Sequence, residues 1–200
     1  MLIGYGTTGA TAAQVMAADA AHSPLVVLDI RPAAVTRAER AGLVGVVGDG
    51  TDPSVLMRAG VADAACVVVA VASDTTAVRI TERARELNAR CVIVTVVREA
   101  EHSPPVRRGG ADRVVVSADT AGRLLAMSVA DPAAAELVQG LLTGPQGVEV
   151  RERPPRPEEL GRPVRCCQPM ALALIRAGVR YWYNDARIGV VQPGDRLLGW

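Results

Sequence analysis

The chain has 200 residues, half of them hydrophobic, and its formal net charge is +1. This length allows one well-packed domain and a smaller lobe, and the near-neutral charge argues against nucleic-acid binding or a polybasic membrane surface. All 22 basic residues are arginine, which excludes Schiff-base chemistry, a P-loop lysine and tyrosine–lysine dehydrogenase catalysis. No apolar run reaches the ~18 residues that span a bilayer.

The first elements of the chain predict a strand, a glycine turn and a helix. Leu2 and Ile3 lead into the motif GYGTTG at 4–9, which small apolar residues follow. In such a turn, glycines allow a tight bend, close approach of a pyrophosphate and close helix packing, and the amides of the helix start face the phosphates. Only Met1 to Ile3 precede the motif, which is short for a first strand, so we expect further chain upstream.

The second predicted strand, 25–28, ends in an acid. Asp29 lies about 20 residues after Gly9, where dinucleotide-binding folds carry the carboxylate that binds ribose hydroxyls. A carboxylate there disfavours NADP, because it would face the extra phosphate, and Arg31 softens this only partly. The alternative is a tight turn with a solvated charge at the strand end.

Helices and strands then alternate, which is typical of a parallel sheet covered on both faces. The pattern predicts a helix over 32–41, a strand over 44–47 and the segment GDGTDP at 48–53. There Asp52 is positioned to cap the next helix and Pro53 to occupy its first turn. Asp49 is left free to point into a ligand crevice.

Three further strands are expected at 65–71, 91–97 and 114–116. Ser73 and Asp74 follow the first of these, either as caps of an amphipathic helix that continues to about Asn88 or as ligand contacts. Arg98 ends the next strand, where it would meet an anionic ligand group or pair with a neighbouring glutamate.

Beyond residue 117 the pattern changes to two apolar helices with a bend at Asp131, because proline follows. They form a dimer interface or pack on their own domain. Prolines and glycines over 144–157 indicate a linker. Short strands are then expected at 171–175, 180–183 and 196–198.

The remaining reactive side chains give weak indications. We interpret His22 and His102 as surface residues rather than acid–base catalysts. Cys66 and Cys91 lie in apolar strands, as buried thiols do. The adjacent Cys166 and Cys167 are incidental thiols or, less favoured, a redox pair.

Several of these segments in their order resemble the RCK domain, also called KTN, which regulates potassium channels and transporters. The resemblance rests on the glycine motif, Asp29, the 48–53 segment, the helix start at 72–74, REAEH at 98–102, GAD at 110–112 and AGRL at 121–124, together with LGR at 160–162 and VQPGDRLL at 191–198. It implies an α/β fold: a Rossmann-like doubly wound parallel sheet (1–117), crossover and dimerisation helices (118–143) and a small C-terminal α+β lobe (144–200).

The resemblance also implies a cytoplasmic sensor that binds NAD(H), AMP, ADP or ATP, dimerises, assembles into a ring and gates a potassium pore attached upstream. The implied nucleotide-binding residues are Gly4, Tyr5, Gly6, Thr7, Thr8, Gly9, Asp29, Arg31, Asp49, Gly50, Thr51, Ser73, Asp74 and Arg98. Phosphates would lie on the glycines, ribose on Asp29, and adenosine near Asp49 and Thr51. Thr7 and Thr8 replace the arginine of many ATP-preferring members. A divalent cation is conceivable, but no acidic loop gives it a place.

Two other functions compete with a channel regulator. A peripheral regulatory subunit of a potassium uptake transporter would use the same domain without an attached pore. An NAD-dependent dehydrogenase is disfavoured by the missing lysine, by the absence of a plausible histidine base and by the small tail.

Overall fold

The computed structural model of the chain describes residues 1–19, 24–143 and 150–199. It divides into two compact units, Met1–Ala126 and Met127–Trp200, and each is described by itself. His22 and the first residues of the expected linker, Gly144 and Pro145, lie outside the described residues. The domain limits at 117 and 143 stay predictions.

A six-stranded parallel sheet forms the centre of the first unit. Its strands are β1 (Leu2–Ile3), β2 (Val26–Asp29), β3 (Val44–Val47), β4 (Cys66–Val69), β5 (Val92–Val97) and β6 (Arg113–Val116). Their order is β3-β2-β1-β4-β5-β6, so the chain winds one way from β1 to β3 and the other way from β4 to β6. The predicted doubly wound sheet is confirmed, and a crevice opens where the winding reverses, between β1 and β4.

The centre of this sheet is buried on both faces, as the continuous apolar runs predict, whereas Val44 on β3, Val92 on β5 and Val115 on β6 are exposed. Leu2 packs in one core cluster and Ile3 in the other, because successive side chains of a strand point to opposite faces. Val27 and Leu28 divide in the same way. A sheet buried on both sides holds the carboxyl ends of its strands in fixed positions.

Helices connect the strands of the first unit. They are α1 (Thr7–Asp19), α2 (Pro32–Arg40), α3 (Pro53–Arg58), α4 (Asp74–Leu87) and α5 (Ser103–Arg108). The predicted caps are present: the Asp52 side chain accepts from the amide of Ser54, and Ser73 accepts from that of Thr76. Several helix starts therefore lie at the same sheet edge as the crevice.

Two helices follow the sheet: α6 (Ser117–Ala130) and α7 (Pro132–Thr143). The break falls at the predicted Asp131, whose carboxylate accepts from the amide of Ala134. The side chains of Leu125 and Val129 on α6 are 69% and 87% exposed. None of the described helices is long and apolar enough to cross a membrane.

The second unit carries a four-stranded antiparallel sheet. Its strands are β7 (Arg151–Arg153), β8 (Ala171–Arg176), β9 (Val179–Trp182) and β10 (Arg196–Gly199), in the order β7-β10-β8-β9. The three strands expected from the sequence are present within a residue or two. Over 150–199 the helical part consists of two short 3₁₀ turns, Pro157–Glu159 and Val164–Cys166.

One expectation about the linker was wrong. Arg151–Arg153 was interpreted as linker, but it is strand β7 and pairs with β10, Leu197 opposite Arg153. Arg153 also forms a two-pronged ion pair with the buried Glu159, at 2.6 and 2.7 Å. Within 151–157, the first proline, Pro154, follows this strand.

Candidate functional site

A cleft of about 700 Å³ lies at the carboxyl edge of the parallel sheet, at the reversal between β1 and β4. Loops after β1, β2, β3, β4 and β5 form its walls. Among the sequence-predicted site residues, the following line it: Gly4, Gly6, Thr7, Thr8, Asp29, Arg31, Asp49, Gly50, Thr51, Ser73, Asp74 and Arg98. Residues from five separate segments thus meet in one place.

The glycine motif is required by geometry at two of its positions. Gly4 has φ of +96°, and a Cβ there would lie 2.5 Å from the carbonyl oxygen of Ala70. A Cβ at Gly9 would lie 2.0 Å from the oxygen of Gly4. For a Cβ at Gly6, by contrast, the nearest described group is the Arg31 guanidinium, at 3.9 Å. Gly4 and Gly9 therefore shape the turn, while Gly6 leaves open space beside the cleft.

Two predicted residues of this motif do not line the cleft. The Tyr5 side chain is buried in the core between α1, α2 and the sheet, and the Arg37 guanidinium lies 6.0 Å from its ring centre. Gly9 is not part of the cleft wall, and its role is to lack a Cβ that would collide with the carbonyl oxygen of Gly4. The Tyr5 side chain is therefore a packing residue in this arrangement, and its backbone amide donates to the Asp29 carboxylate.

Asp29 is held by its neighbours from all sides. Its carboxylate accepts from the amide of Tyr5 at 2.7 Å and from the amide of Arg31 at 2.8 Å. The Arg31 side chain adds Nε and Nη2, both at 3.1 Å. Burial alone would raise the pKa of Asp29, but the hydrogen bonds from Arg31 and Tyr5 outweigh it and lower that pKa. Asp29 is thus an anion at neutral pH.

The loop after β3 presents a second acid. Asp49 Oδ1 accepts from both the amide and the hydroxyl of Thr51, each at 2.8 Å. A Cβ at Gly50 would lie 2.9 Å from a methyl carbon of Ile3, so glycine is needed there to bring the loop against the sheet. Thr51 therefore holds Oδ1 of Asp49 in place, and both residues line the cleft.

On the other side of the reversal, the helix start of α4 is tied to the end of β5. The Asp74 carboxylate accepts from the amides of Arg98 and Glu99 at 2.9 to 3.0 Å. His102 is partly buried rather than on the surface, with Nδ1 3.2 Å from Asp74 Oδ2 but not aligned for a hydrogen bond. Ser73 therefore caps α4, as the capping alternative predicts, whereas Asp74 holds the backbone at the end of β5.

Three polar side chains of the cleft, those of Thr76, Arg79 and Ser117, were missed by the sequence reasoning. Arg79 lies on α4, and Ser117, whose hydroxyl donates to the carbonyl of Val97, begins α6. Helical spacing could have found Arg79, since it follows Thr76 by three residues and both line the cleft. The guanidinium groups of Arg79 and Arg98 have no hydrogen bond or ion pair with any residue that the structure describes. Two cations are thus available to a ligand.

Metal and thiol chemistry find little support. Among residues 1–19, 24–143 and 150–199, no three His, Cys, Asp or Glu side chains group as metal ligands do, and the conceivable divalent cation stays without a place. All four cysteines are free; Cys167 is buried and Cys166 exposed. Burial raises the pKa of the Cys167 thiol.

Comparison with known proteins gives a family. The family model described as the TrkA-N domain matches residues 1–117. The TrkA-N domain of the inner membrane protein ybaL from Escherichia coli is 22% identical, with 62% of this chain and 90% of that chain covered and a TM-score of 0.58. The comparison with curated proteins found no match.

Structures of the GsuK channel are also similar. The GsuK RCK domain is 23% identical over 98% of this chain and 42% of that one, with a TM-score of 0.59. GsuK bound to NAD is 23% identical over 98% and 35%, with a TM-score of 0.58. GsuK bound to ADP is 26% identical over 64% and 32%, with a TM-score of 0.57. This chain spans about a third of the length of the GsuK channel chain.

A further neighbour is the Kef CTD of Shewanella denitrificans in its AMP-bound form. It is 22% identical over 71% of this chain and 88% of that one, with a TM-score of 0.55. These likenesses support the Rossmann-like fold already described. Because the family model covers more than half of the chain, the protein belongs to the TrkA-N domain family, and the resemblance to RCK domains that its motifs predicted is confirmed.

Proposed function

We propose that this chain is a ligand-sensing regulatory domain that binds an adenine nucleotide and couples its binding to the gating of a potassium channel. The observation that carries the proposal is the cleft itself. A glycine turn, a helix start, a buried carboxylate and two arginines without a partner among the described residues meet where the sheet reverses its winding. Structural neighbours that carry NAD, ADP or AMP support the choice of ligand.

We infer from the sheet order that each wall of the cleft binds a different part of the nucleotide. The diphosphate lies over Gly6, Thr7 and Thr8, where α1 begins, because free amides and the helix dipole favour negative charge there. The adenosine half extends over the ends of β2 and β3, toward Asp29 and the loop of Asp49 and Thr51. The other half extends over β4 and β5. Arg79 and Arg98 there attract further phosphate.

Regulation requires two arrangements that bind the ligand unequally, because only a difference in affinity shifts a conformational population. We expect these arrangements to be two geometries of a homodimer formed through α6 and α7. The exposed Leu125 and Val129 make a one-sided apolar surface on α6, of the kind that a second subunit covers. A ring of such dimers on the cytoplasmic side of a membrane would pull on a pore.

The second candidate is a regulatory subunit of a potassium transporter. The similarity to a domain of an Escherichia coli inner membrane protein supports it. Both versions share the nucleotide cleft and differ only in the attached partner. A dehydrogenase finds less support: the chain has no lysine, and the partly buried His102 lies beside Asp74 at the end of β5. We therefore propose a regulator without catalysis of its own.

A thermal-shift series on the 200-residue chain tests the proposal. NAD, NADH, AMP, ADP and ATP are each added at about 100 times a typical dissociation constant, which would stabilise the folded state by about 2.7 kcal/mol. We expect at least one adenine nucleotide to raise the melting temperature and guanosine nucleotides to raise it less. If none of the adenine nucleotides raises it, the proposed function is wrong.

A further inference from the structure

The carboxylate at the end of β2 has no acceptor capacity left. A carboxylate offers about four lone-pair positions on its two oxygens. At Asp29, Oδ1 accepts from the backbone N and the side-chain Nε of Arg31, and Oδ2 accepts from the amide of Tyr5 and from Arg31 Nη2. Four donors therefore meet four positions. A ribose diol, which would donate two more hydrogen bonds, finds no vacant oxygen lone pair.

The Arg31 guanidinium, rather than the Asp29 carboxylate, is exposed to the cleft. The Asp29 side chain is only 5% exposed, whereas that of Arg31 is 59% exposed and belongs to the cleft wall. Nη1 of Arg31 has no hydrogen-bond partner within the described part of the chain. Nη2 lies 3.9 Å from the position of a Cβ on Gly6, so the cation lies between the acid and the glycine turn. The ribose end of the cleft thus offers donors and positive charge.

We propose that Arg31 is a specificity-determining residue that makes this end of the cleft a phosphate site, so that the preferred ligand carries a phosphate on the 2′ or 3′ oxygen of its adenosine ribose. This rests on the proposed function, since it places an adenine nucleotide in the same cleft. A guanidinium presents paired N–H donors that match phosphate oxygens, and it binds them more strongly than neutral hydroxyls.

In this arrangement Asp29 positions the Arg31 guanidinium instead of binding the ribose hydroxyls. Its two bonds to the Arg31 side chain hold the guanidinium plane in place, which lowers the entropy lost when a phosphate binds. Binding a plain ribose would first require the guanidinium to leave both oxygens. The expectation that Asp29 disfavours NADP is therefore reversed: the acid is neutralised and its partner favours the extra phosphate.

Isothermal titration calorimetry with the full 200-residue chain tests this inference. The probes are 5′-AMP, adenosine 2′,5′-bisphosphate, adenosine 3′,5′-bisphosphate, NAD and NADP. We expect one bisphosphate to bind at least about tenfold more tightly than 5′-AMP, and the preferred isomer identifies the phosphorylated oxygen. NADP should exceed NAD by a similar factor if the 2′ oxygen is the phosphorylated one.

Arg31→Gln removes the cation, and Arg40→Gln is the matched control, because Arg40 is exposed at the end of α2 and away from the cleft. We expect Arg31→Gln to abolish the preference for the bisphosphate and to bind 5′-AMP at least as tightly as before, since Asp29 then has free lone pairs. Arg40→Gln should leave the affinity ratio unchanged. Circular dichroism establishes that both variants fold.

The outcomes separate the two claims. If the unmodified chain binds 5′-AMP as tightly as both bisphosphates, the inference about Arg31 is wrong while the proposed function stands. If no adenine nucleotide binds, both fall. The ratio in the unmodified chain decides the matter even if Arg31→Gln fails to fold, and Arg31→Lys, which keeps the charge but not the paired donors, should retain only part of the preference.

Discussion

At the scale of single residues, the site depends on backbone positions as much as on charged groups. Only glycine fits at positions 4 and 9, because a Cβ at either position would collide with a backbone carbonyl oxygen. The charged residues then occupy positions that these glycines create. A change at a glycine and a change at an arginine should therefore have different consequences, one for folding and one for binding.

Gly4→Ala should destabilise the protein by about 2 to 4 kcal/mol, because the new Cβ would meet the oxygen of Ala70 at 2.5 Å and φ is +96°,. Gly42→Ala is the matched control, because Gly42 also has a positive φ, +81°, but no described atom lies within 4 Å of a Cβ there. Without a collision, the left-handed conformation alone should cost only about 1 to 2 kcal/mol. Urea unfolding followed by circular dichroism measures both, and equal effects would contradict this account of the turn.

Arg98→Gln should weaken ADP and ATP more than adenosine, because Arg98 is a cation on the cleft wall without a partner among the described residues. Loss of one charged hydrogen bond to phosphate corresponds to about 1.5 to 3 kcal/mol. Arg79→Gln should act in the same direction, and Arg90→Gln, exposed and outside the cleft, should not act. Calorimetry at two salt concentrations measures the effect, and an Arg98 variant with unchanged ADP affinity would remove this arginine from the site.

At the scale of elements, the order of strands and helices could be predicted closely because periodicity is local. The glycine turn, Asp29, Asp52 as a cap and the break at Asp131 all follow from residues near one another in sequence. Strand β7 was missed because its stability comes from β10, more than 40 residues away, with Arg196 bonded to Glu152.

The lobe around β7 should lose stability in acid through Glu159. Hydrogen bonds from Arg153 and from the amide of Arg156 outweigh burial and lower the pKa of Glu159 to about 2. Because the pKa of Glu159 is lower in the folded state than in the unfolded state, its ionised form stabilises the folded state at pH values above about 4.3, the pKa of an unfolded glutamate. This contribution disappears as the pH falls from there toward 2. It amounts to at most about 3 kcal/mol.

Urea unfolding at pH 6 and pH 3, followed by tryptophan fluorescence, measures this contribution, since both tryptophans belong to the second unit. Glu159→Gln should lower the unfolding free energy at pH 6 and much less at pH 3. Glu158→Gln is the matched control, because Glu158 is exposed in the same turn. A Glu159 variant with the same pH dependence as the unmodified chain would contradict the assignment to this carboxyl.

At the scale of the whole molecule, sequence spacing predicted which residues line the cleft better than it predicted the bonds between them. Asp29 and Arg31 were both named as site residues, yet nothing in their spacing indicated that Arg31 would fill the lone pairs of Asp29. Arg79 was missed although it follows Thr76 by three residues on α4, and both side chains line the cleft. Local sequence patterns predict which residues lie at the cleft. The charge that the cleft presents to a ligand depends on which side chains form ion pairs after folding.

The dimer proposed through α6 and α7 makes a claim about the molecule in solution. Val129 is 87% exposed, and Leu125 lies one helical turn before it on the same face, 69% exposed,. Large apolar side chains in such a stripe are usually covered by another surface. We therefore expect Val129→Glu to convert a dimer into a monomer, because a carboxylate in an apolar interface loses its hydration without gaining a partner.

Sedimentation velocity over a range of protein concentrations measures the change, and circular dichroism establishes that the variant still folds. Met57→Glu is the matched control, since Met57 is 50% exposed on α3 and takes no part in the proposed interface. Nucleotide affinity in the monomeric variant then separates the roles of the two regions. If binding and dimerisation are coupled as a gating mechanism requires, the monomer should bind nucleotide with an altered affinity, because linkage makes each equilibrium change the other by the same factor. A variant that remains dimeric, or a monomer with unchanged affinity, would leave the cleft without a route to a pore.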